Sequence, residues 1–451
     1  MSNAINLNQP FSAQAYTHIP DYISQEELKY QRLKVTVHKQ LIEALDLDRI
    51  EEVEVEDLRR NIHALVVHLI KQNPELFAGI DQARLESDLV DEVFGHGPIE
   101  PLLRDDTISD ILVNGPYTVY IERAGRVSQT DVIFANDEHL LHVIRRIVGR
   151  LGRRLDESHP MVDARLDDGS RVNAVIPPLV LNGPTLSIRR FGKRSYTIEE
   201  LLGFGTLPEQ FATFMNAAIR SRIGTLFSGG TGSGKTTMLN ALSAAIPPEE
   251  RLITIEDSAE LQLAHRHWIR METRPGTIDR TGAEVTQRDL VRNSLRMRPD
   301  RIIVGEVRGA EVWDMLQAMN TGHEGSMTTV HANSTRDALH RLEMMCALTG
   351  LELPVSVVRE HIATGIRLVA HVARLPGGAR KMVEISEIVG VKNGEYVIED
   401  IFRFQQTGID SEGNAVGDFV ATGYIPRCLE KIRLTDVGLP ENLFEKRTLK
   451  Q

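Results

Sequence analysis

Between residues 225 and 246 the chain runs from an apolar stretch, Thr225-Leu226-Phe227, through Gly229-Gly230-Thr231-Gly232-Ser233-Gly234-Lys235-Thr236-Thr237, into a helix-like segment from Met238. Glycines at this spacing, between a strand and a helix, predict a phosphate-binding loop. The backbone turns with its N–H groups aimed inward at a polyphosphate, and the new helix adds its positive end. Lys235 is expected to reach the β/γ oxygens and Thr236 to offer its hydroxyl to Mg2+. ATP and Mg2+ are the expected ligands, and all nine residues from Gly229 to Thr237 form the candidate binding set. In α/β sheets of this kind ligands sit beyond the carboxyl ends of the strands.

Beyond Lys235, strand-like and helix-like segments alternate at 252–255, 287–296, 301–304, 311–319, 325–331 and 335–348, which implies a mostly parallel sheet covered by helices. Further β-structure is expected at 382–391, 395–404 and 418–422.

A chain of 451 residues exceeds one ordinary core. Residues 1–20 are polar and aperiodic and read as a flexible tail. A capping-box spacing at Ser24 and Glu27 then opens a helix with Leu33, Val37, Leu41 and Leu45 on one face. Helices over 57–72 and 82–94, the second ending at Gly95-His96-Gly97-Pro98, complete a helical bundle over 21–95. From residue 99 the texture changes to short β-like runs at 110–113 and 118–122, with turns at Asn114-Gly115-Pro116 and Ala124-Gly125. A helix over 138–149 and strands over 171–176 and 185–191 make 96–195 an α+β domain that closes near Lys193. Residues 196–451 form the α/β ATPase domain.

Net charge is −11, from 52 Lys and Arg against 63 Asp and Glu, which argues against a broad nucleic-acid surface. The densest basic run, Arg145, Arg146, Arg150, Arg153 and Arg154, reads as a solvated helix face or a local groove. No apolar run approaches the about 20 residues needed to cross a bilayer, and the first residues lack a secretory pattern, so a cytoplasmic location is expected. Cys346 and Cys428 cannot make a disulfide framework or a four-ligand zinc site.

Hydrolysis of ATP needs a carboxylate to orient or deprotonate water in line with the γ-phosphate. Glu256, Asp257 and Glu260 follow the strand at 252–255, and Glu306 follows Ile302-Ile303-Val304. Gly305 occupies the slot where most such ATPases carry an aspartate for the metal-bound water. Either Glu306 takes over the metal and Glu260 or Glu256 is the base, or Glu306 is itself the base. His323 and His331 flank the strand-like 325–330, where an imidazole can bond a γ-phosphate or report its loss.

Four stretches carry a family resemblance: the phosphate loop, Ile255-Glu256-Asp257-Ser258-Ala259-Glu260-Leu261, Arg298 to Arg308, and Thr321-Gly322-His323 to His331-Ala332-Asn333-Ser334. They resemble the Walker A, Asp-box, Walker B and His-box of the ATPase motors of type II and type IV secretion and type IV pili. The likeness extends upstream through Asp110 to Gly115 and Asp168 to Val175, and on to Ser187-Ile188-Arg189-Arg190-Phe191. The combination is most similar to the CpaF-type ATPase of tight-adherence (Tad) pili.

That resemblance implies a RecA-like core behind an α+β, PAS-like domain, assembled as a homo-oligomer, a hexamer. It implies that Glu306 holds the metal-bound water, that Glu260 activates water and that His331 lies near the γ-phosphate. Arg171 and Arg189 sit in motifs that supply arginines to nucleotide in related hexamers; Arg296, Arg298 and Arg308 are weaker candidates across a subunit boundary. Implied partners are an inner-membrane platform protein and, indirectly, pilin, with extension or retraction of a pilus as the output. The Cys-x-x-Cys zinc element of type II secretion assembly ATPases has no counterpart here. Type IV secretion motors exporting protein or DNA are the nearer competitors, and a nucleic-acid translocase sharing the core is a reading of another class.

Overall fold

The computed structural model describes residues 19–44, 55–123, 125–192, 195–274, 284–435 and 437–449. Residues 1–18 of the expected tail, Leu45 on the first helix, Ala124 in its turn and Lys193 at the domain edge lie outside them. The chain divides into two compact units, 1–193 and 194–451.

In the first unit, α1 (Gln25–Ala44) starts where the Ser24 hydroxyl accepts the Glu27 N–H at 3.1 Å. Its Leu33, Val37 and Leu41 are buried at helical spacing against Ile62, Val66 and Leu69 of α2 (Val55–Gln72) and Leu85 and Leu89 of α3 (Gln82–Val93). Asp81 caps α3 by accepting from the N–H groups of Ala83 and Arg84. After the short α4 (Glu100–Arg104) come β1 (Ile108–Asn114), β2 (Val119–Arg123), β3 (Arg126–Gln129), α5 (Asp137–Arg150), β4 (Met161–Arg165), β5 (Arg171–Val175) and β6 (Thr185–Arg189). Among the described residues the six strands form one antiparallel sheet in the order β3-β2-β1-β6-β5-β4. Leu140, Val143, Ile144 and Ile147 of α5 share a core with residues of that sheet.

Of the basic run, Arg145, Arg150, Arg153 and Arg154 are exposed and Arg146 is half-buried. Arg146 donates to the carbonyls of Glu92 and Gly95, and Arg150 to that of Phe94. These arginines supply donors to carbonyls that the end of α3 leaves unpaired, which ties α5 to the helical region. Beside them the Glu92 carboxylate is buried, 3.1 Å from the Lys34 ammonium and 3.2 Å from His139 Nε2. Burial alone pushes its pKa up, but hydrogen bonds and charge from His139 and Lys34 outweigh burial and hold it well below the usual range.

The second unit opens with α6 (Ile198–Gly203) and α7 (Glu209–Arg220), then β7 (Thr225–Gly229), α8 (Lys235–Leu242), β8 (Leu252–Glu256), β9 (Trp268–Glu272) and α9 (Gln287–Ser294). β10 (Arg301–Val304), α10 (Glu311–Asn320), β11 (Met327–His331), α11 (Thr335–Ala347) and α12 (Val355–Gly365) follow. The chain continues with β12 (Leu368–Arg374), β13 (Arg380–Lys392), β14 (Glu395–Ile409), β15 (Ala415–Ala421), α13 (Leu429–Arg433) and β16 (Arg447–Leu449). Among the described residues the strand order is β16-β15-β14-β13-β12-β7-β11-β10-β8-β9. From β12 to β9 all neighbours are parallel, and from β12 to β16 all are antiparallel.

Successive side chains of a strand point to opposite faces, so Leu226 and Phe227 join two different apolar cores. One contains Phe211, Phe214, Phe402 and Phe419; the other contains Val312, Leu316, Leu339 and Ile362. Strands buried on both faces read as continuous apolar runs, which is why 252–255 and 302–304 were legible. The connection from β7 to β8 passes over β11 and β10, leaving a topological switch beside the phosphate loop.

Candidate functional site

Glycine is required where the loop leaves β7. A Cβ on Gly229 would collide with the Val372 carbonyl of the adjacent β12, and its φ of 156° lies at the edge of what side chains accept. The loop then carries Gly230, Thr231, Gly232, Ser233 and Gly234 into α8, whose N-terminus has no side-chain cap. Its first N–H groups are therefore available to an anion. Lys235, the first residue of α8, is 6% exposed and its ammonium donates to the Gly230 carbonyl at 2.9 Å. The Ser233 N–H also donates to that oxygen, at 3.3 Å, while the buried Ser233 hydroxyl has no hydrogen-bond partner. Thr236 and Thr237 lie half-buried in the first turn of α8.

Parallel register decides which of the other candidates reach this edge. His331, the last residue of β11, pairs with Gly229, whereas Met327 pairs with Thr225 at the opposite end of β7. His323 precedes Met327, so the two histidines are separated by a five-residue strand, about 13 Å at the usual rise. His323 therefore lies before the start of β11, at the end of the strand opposite His331 and the phosphate loop.

Glu256 ends β8 and is 3% exposed. One carboxylate oxygen accepts the N–H groups of Glu260 and Leu261 at 2.8 and 2.9 Å; the other has no hydrogen-bond partner. Burial pushes the Glu256 pKa up to about 6, against those two N–H groups. Glu260 is thereby held through its backbone by Glu256.

Glu306 follows β10 by two residues. One of its oxygens accepts from Arg308 Nε at 3.0 Å, and the other lies 2.8 Å from His331 Nε2, close enough to pair but off the line of a hydrogen bond. Arg308 also lies 3.5 Å from Asp257, so its guanidinium joins the two acidic elements within one chain. Burial lowers the His331 pKa, the Lys235 charge lowers it further, and Glu306 opposes both, leaving the ring neutral near pH 7.

Two groups close to the loop were not anticipated. His371 Nδ1 on β12 is 2.9 Å from the buried Ser228 hydroxyl, and Arg380 Nε at the start of β13 donates to the Gly232 carbonyl at 2.8 Å. Neither belongs to a local motif; both follow from the pairing of β12 with β7, about 140 residues apart in sequence.

Arg171 and Arg189 lie in the first unit. They face one another across β5 and β6, Arg165 pairs with Arg171 on the other side, and Arg189 pairs with Asp110. Three arginines thus share one rung of the sheet with Asp110, which lies beside Arg189. Arg165 was not anticipated, because only the register exposes it. Arg296 and Arg298 are both exposed.

A family model described as type II/IV secretion system protein matches residues 92–389. A putative conjugal transfer protein of Mycobacterium tuberculosis is 38% identical over 301 residues, covering 65% of this chain and 85% of that protein. Conjugal transfer protein TrbB of Rhizobium radiobacter is 34% identical over 310 residues, covering 67% of this chain and 91% of the relative. Among solved structures, the VirB11 ATPase of the Brucella suis type IV secretion system in complex with sulphate aligns at 29% identity and a TM-score of 0.36, covering 64% of this chain and 94% of that one.

Proposed function

Because this chain belongs to the type II/IV secretion system protein family, we propose that it is a ring-forming, hexameric ATPase with a RecA-like core. In this reading it couples Mg-ATP hydrolysis to extension or retraction of a Tad pilus, acting on an inner-membrane platform protein and, through it, on pilin. The observation that carries the proposal is the shared edge of one parallel sheet: Lys235 on the uncapped α8, Glu256 with Glu260, Glu306, and His331 in register with Gly229.

A triphosphate takes the place of the Gly230 oxygen as acceptor for Lys235 and the Ser233 N–H. Glu260 is the water-activating base, Glu256 holds it in place, and neutral His331 donates to the γ-phosphate from the neighbouring strand end. The Thr236 hydroxyl and the Glu306 carboxylate are the hard oxygen donors that Mg2+ takes, and one Glu306 oxygen still lacks a hydrogen-bond partner. When bound, the metal neutralises charge on the phosphates. The rung of Arg171 and Arg189 supplies positive charge to nucleotide on an adjacent subunit, so nucleotide state is read as domain closure.

No described helix is long and apolar enough to cross a membrane, which accords with a cytoplasmic protein associated peripherally with the inner membrane through partners. The lack of a Cys-x-x-Cys pair and the helical region before residue 95 favour the Tad reading. A second reading, a type IV secretion motor exporting protein or DNA, is favoured by relatives whose names concern conjugal transfer. Acidic net charge weighs against a nucleic-acid translocase.

Lys235→Ala is expected to abolish Mg-ATP turnover in a folded protein; full turnover by that variant overturns the enzymatic reading. Deleting the gene in its host separates the two outputs: loss of surface pili with transfer intact supports the first, and the reverse supports the second.

A further inference from the structure

We propose that Arg380 is a positioning residue of the nucleotide site, acting in the same chain through the Gly232 carbonyl; the proposal rests on the phosphate-loop reading above. Strand pairing brings it there. Val372 of β12 is in register with Gly229, the chain turns at 376–378, and Arg380 opens β13 opposite Arg374. The first residue of β13 is therefore delivered to the loop that leaves β7.

Arg380 Nε donates to Gly232 O at 2.8 Å, and a Cβ built on Gly234 would lie 3.6 Å from Arg380 Cδ. The side chain thus covers residues 232–234. It is half-buried, and among the described residues its terminal nitrogens make no other hydrogen bond or ion pair.

Peptide planarity gives this bond its leverage. The Gly232 carbonyl and the Ser233 N–H share one trans peptide unit and point in opposite directions. Holding the carbonyl on the Arg380 side therefore fixes the N–H on the Lys235 side, where it already shares the Gly230 oxygen with the Lys235 ammonium. A permanent guanidinium next to the nest also adds positive charge where a polyphosphate gathers negative charge.

The same strand carries a second anchor. Glu384 of β13 accepts from the Thr335 hydroxyl at the start of α11, four residues after His331. One strand therefore holds both the loop that grips the phosphates and the turn that comes after His331.

The test is calorimetric titration of the full chain with Mg-ADP and with a non-hydrolysable ATP analogue, together with KM, kcat and the thermal midpoint of nucleotide-free protein. Arg380→Ala is expected to weaken both ligands about tenfold and to raise KM by a similar factor, with kcat within about threefold and an unchanged thermal midpoint. Arg380→Lys, which keeps a charged donor, recovers most of the affinity. Lys235→Ala is the reference. If it loses nucleotide while Arg380→Ala binds within twofold of wild type, Arg380 has no such role and the loop reading stands. If Lys235→Ala binds normally, the loop reading falls and this proposal falls with it. A lowered thermal midpoint together with equal loss in Arg380→Ala and Arg380→Lys assigns Arg380 to folding alone and overturns the proposal.

Discussion

The backbone of Gly305 lies so close to Glu256 that a Cβ at position 305 would come within 2.8 Å of the Glu256 Cγ. The missing aspartate after β10 is thus a packing necessity: the space its side chain would use is taken by the carboxylate arm that holds the Glu260 backbone. Gly305→Ala is expected to cost about 1–3 kcal/mol of stability and to lower turnover by displacing Glu256. Gly305→Asp should do both more severely. Thermal unfolding and phosphate release measure the two effects, and wild-type turnover in Gly305→Asp would refute the steric account.

The Glu256 carboxyl sets a pH dependence. Its pKa rises from 4.5 to about 6 on folding, so its contribution to stability is full below 4.5 and is lost as the pH rises through about 6. Its size is about 2 kcal/mol. Glu256→Gln should therefore gain stability relative to wild type between pH 4.5 and 7.5, by about that amount. The acid limb of turnover, with its midpoint near 6, should move in the same variant. A constant stability difference across that range would show that the carboxyl does not titrate there.

Glu92 behaves oppositely. Its pKa is depressed from 4.5, so the stability it contributes is in place above 4.5 and is lost as the pH falls below it. Glu92→Gln leaves the Lys34 ammonium buried without its counter-charge, at a cost of about 3–5 kcal/mol. The double variant Lys34→Met with Glu92→Leu should recover most of that. Chemical denaturation of the full chain, followed by hydrogen exchange in α1 and α3, checks both.

Chelating divalent metal should stop hydrolysis while Mg-free ADP still binds, because Lys235 and the α8 N-terminus hold phosphate without it. Adding Mg2+ should restore turnover. Thr236→Ala should need more Mg2+ for half-maximal rate, and an unchanged requirement would remove Thr236 from the metal site.

What could be read from the sequence was whatever a contiguous stretch encodes. The phosphate loop, the buried strands at 252–255 and 302–304 and the capped α1 announce themselves within a few residues, because turn chemistry and burial period are local. β12 gave no such signal. Leu368-Val369-Ala370-His371-Val372 is a short apolar run directly after a helix, and such runs do not distinguish strand from helix end. Everything that depends on β12 was hidden with it, including His371 on Ser228 and Arg380 on Gly232. The spacing of His323 and His331 suggested a pair, and only the direction of β11 shows that they lie at opposite ends. For the same reason the glycine at 305 looked like a gap until its neighbour on β8 was known.

Thr225 is paired in register with Met327 on one side and with Leu368 on the other, and Gly229 likewise with His331 and Val372. A strand gripped along both margins cannot creep, since a one-residue slip would turn Leu226 and Phe227 into each other's cores. The platform beneath the phosphates is therefore an anvil. Glu306 in the turn after Val304 and His331 at the tip of β11 meet across its far margin, where the sheet gives way to loops.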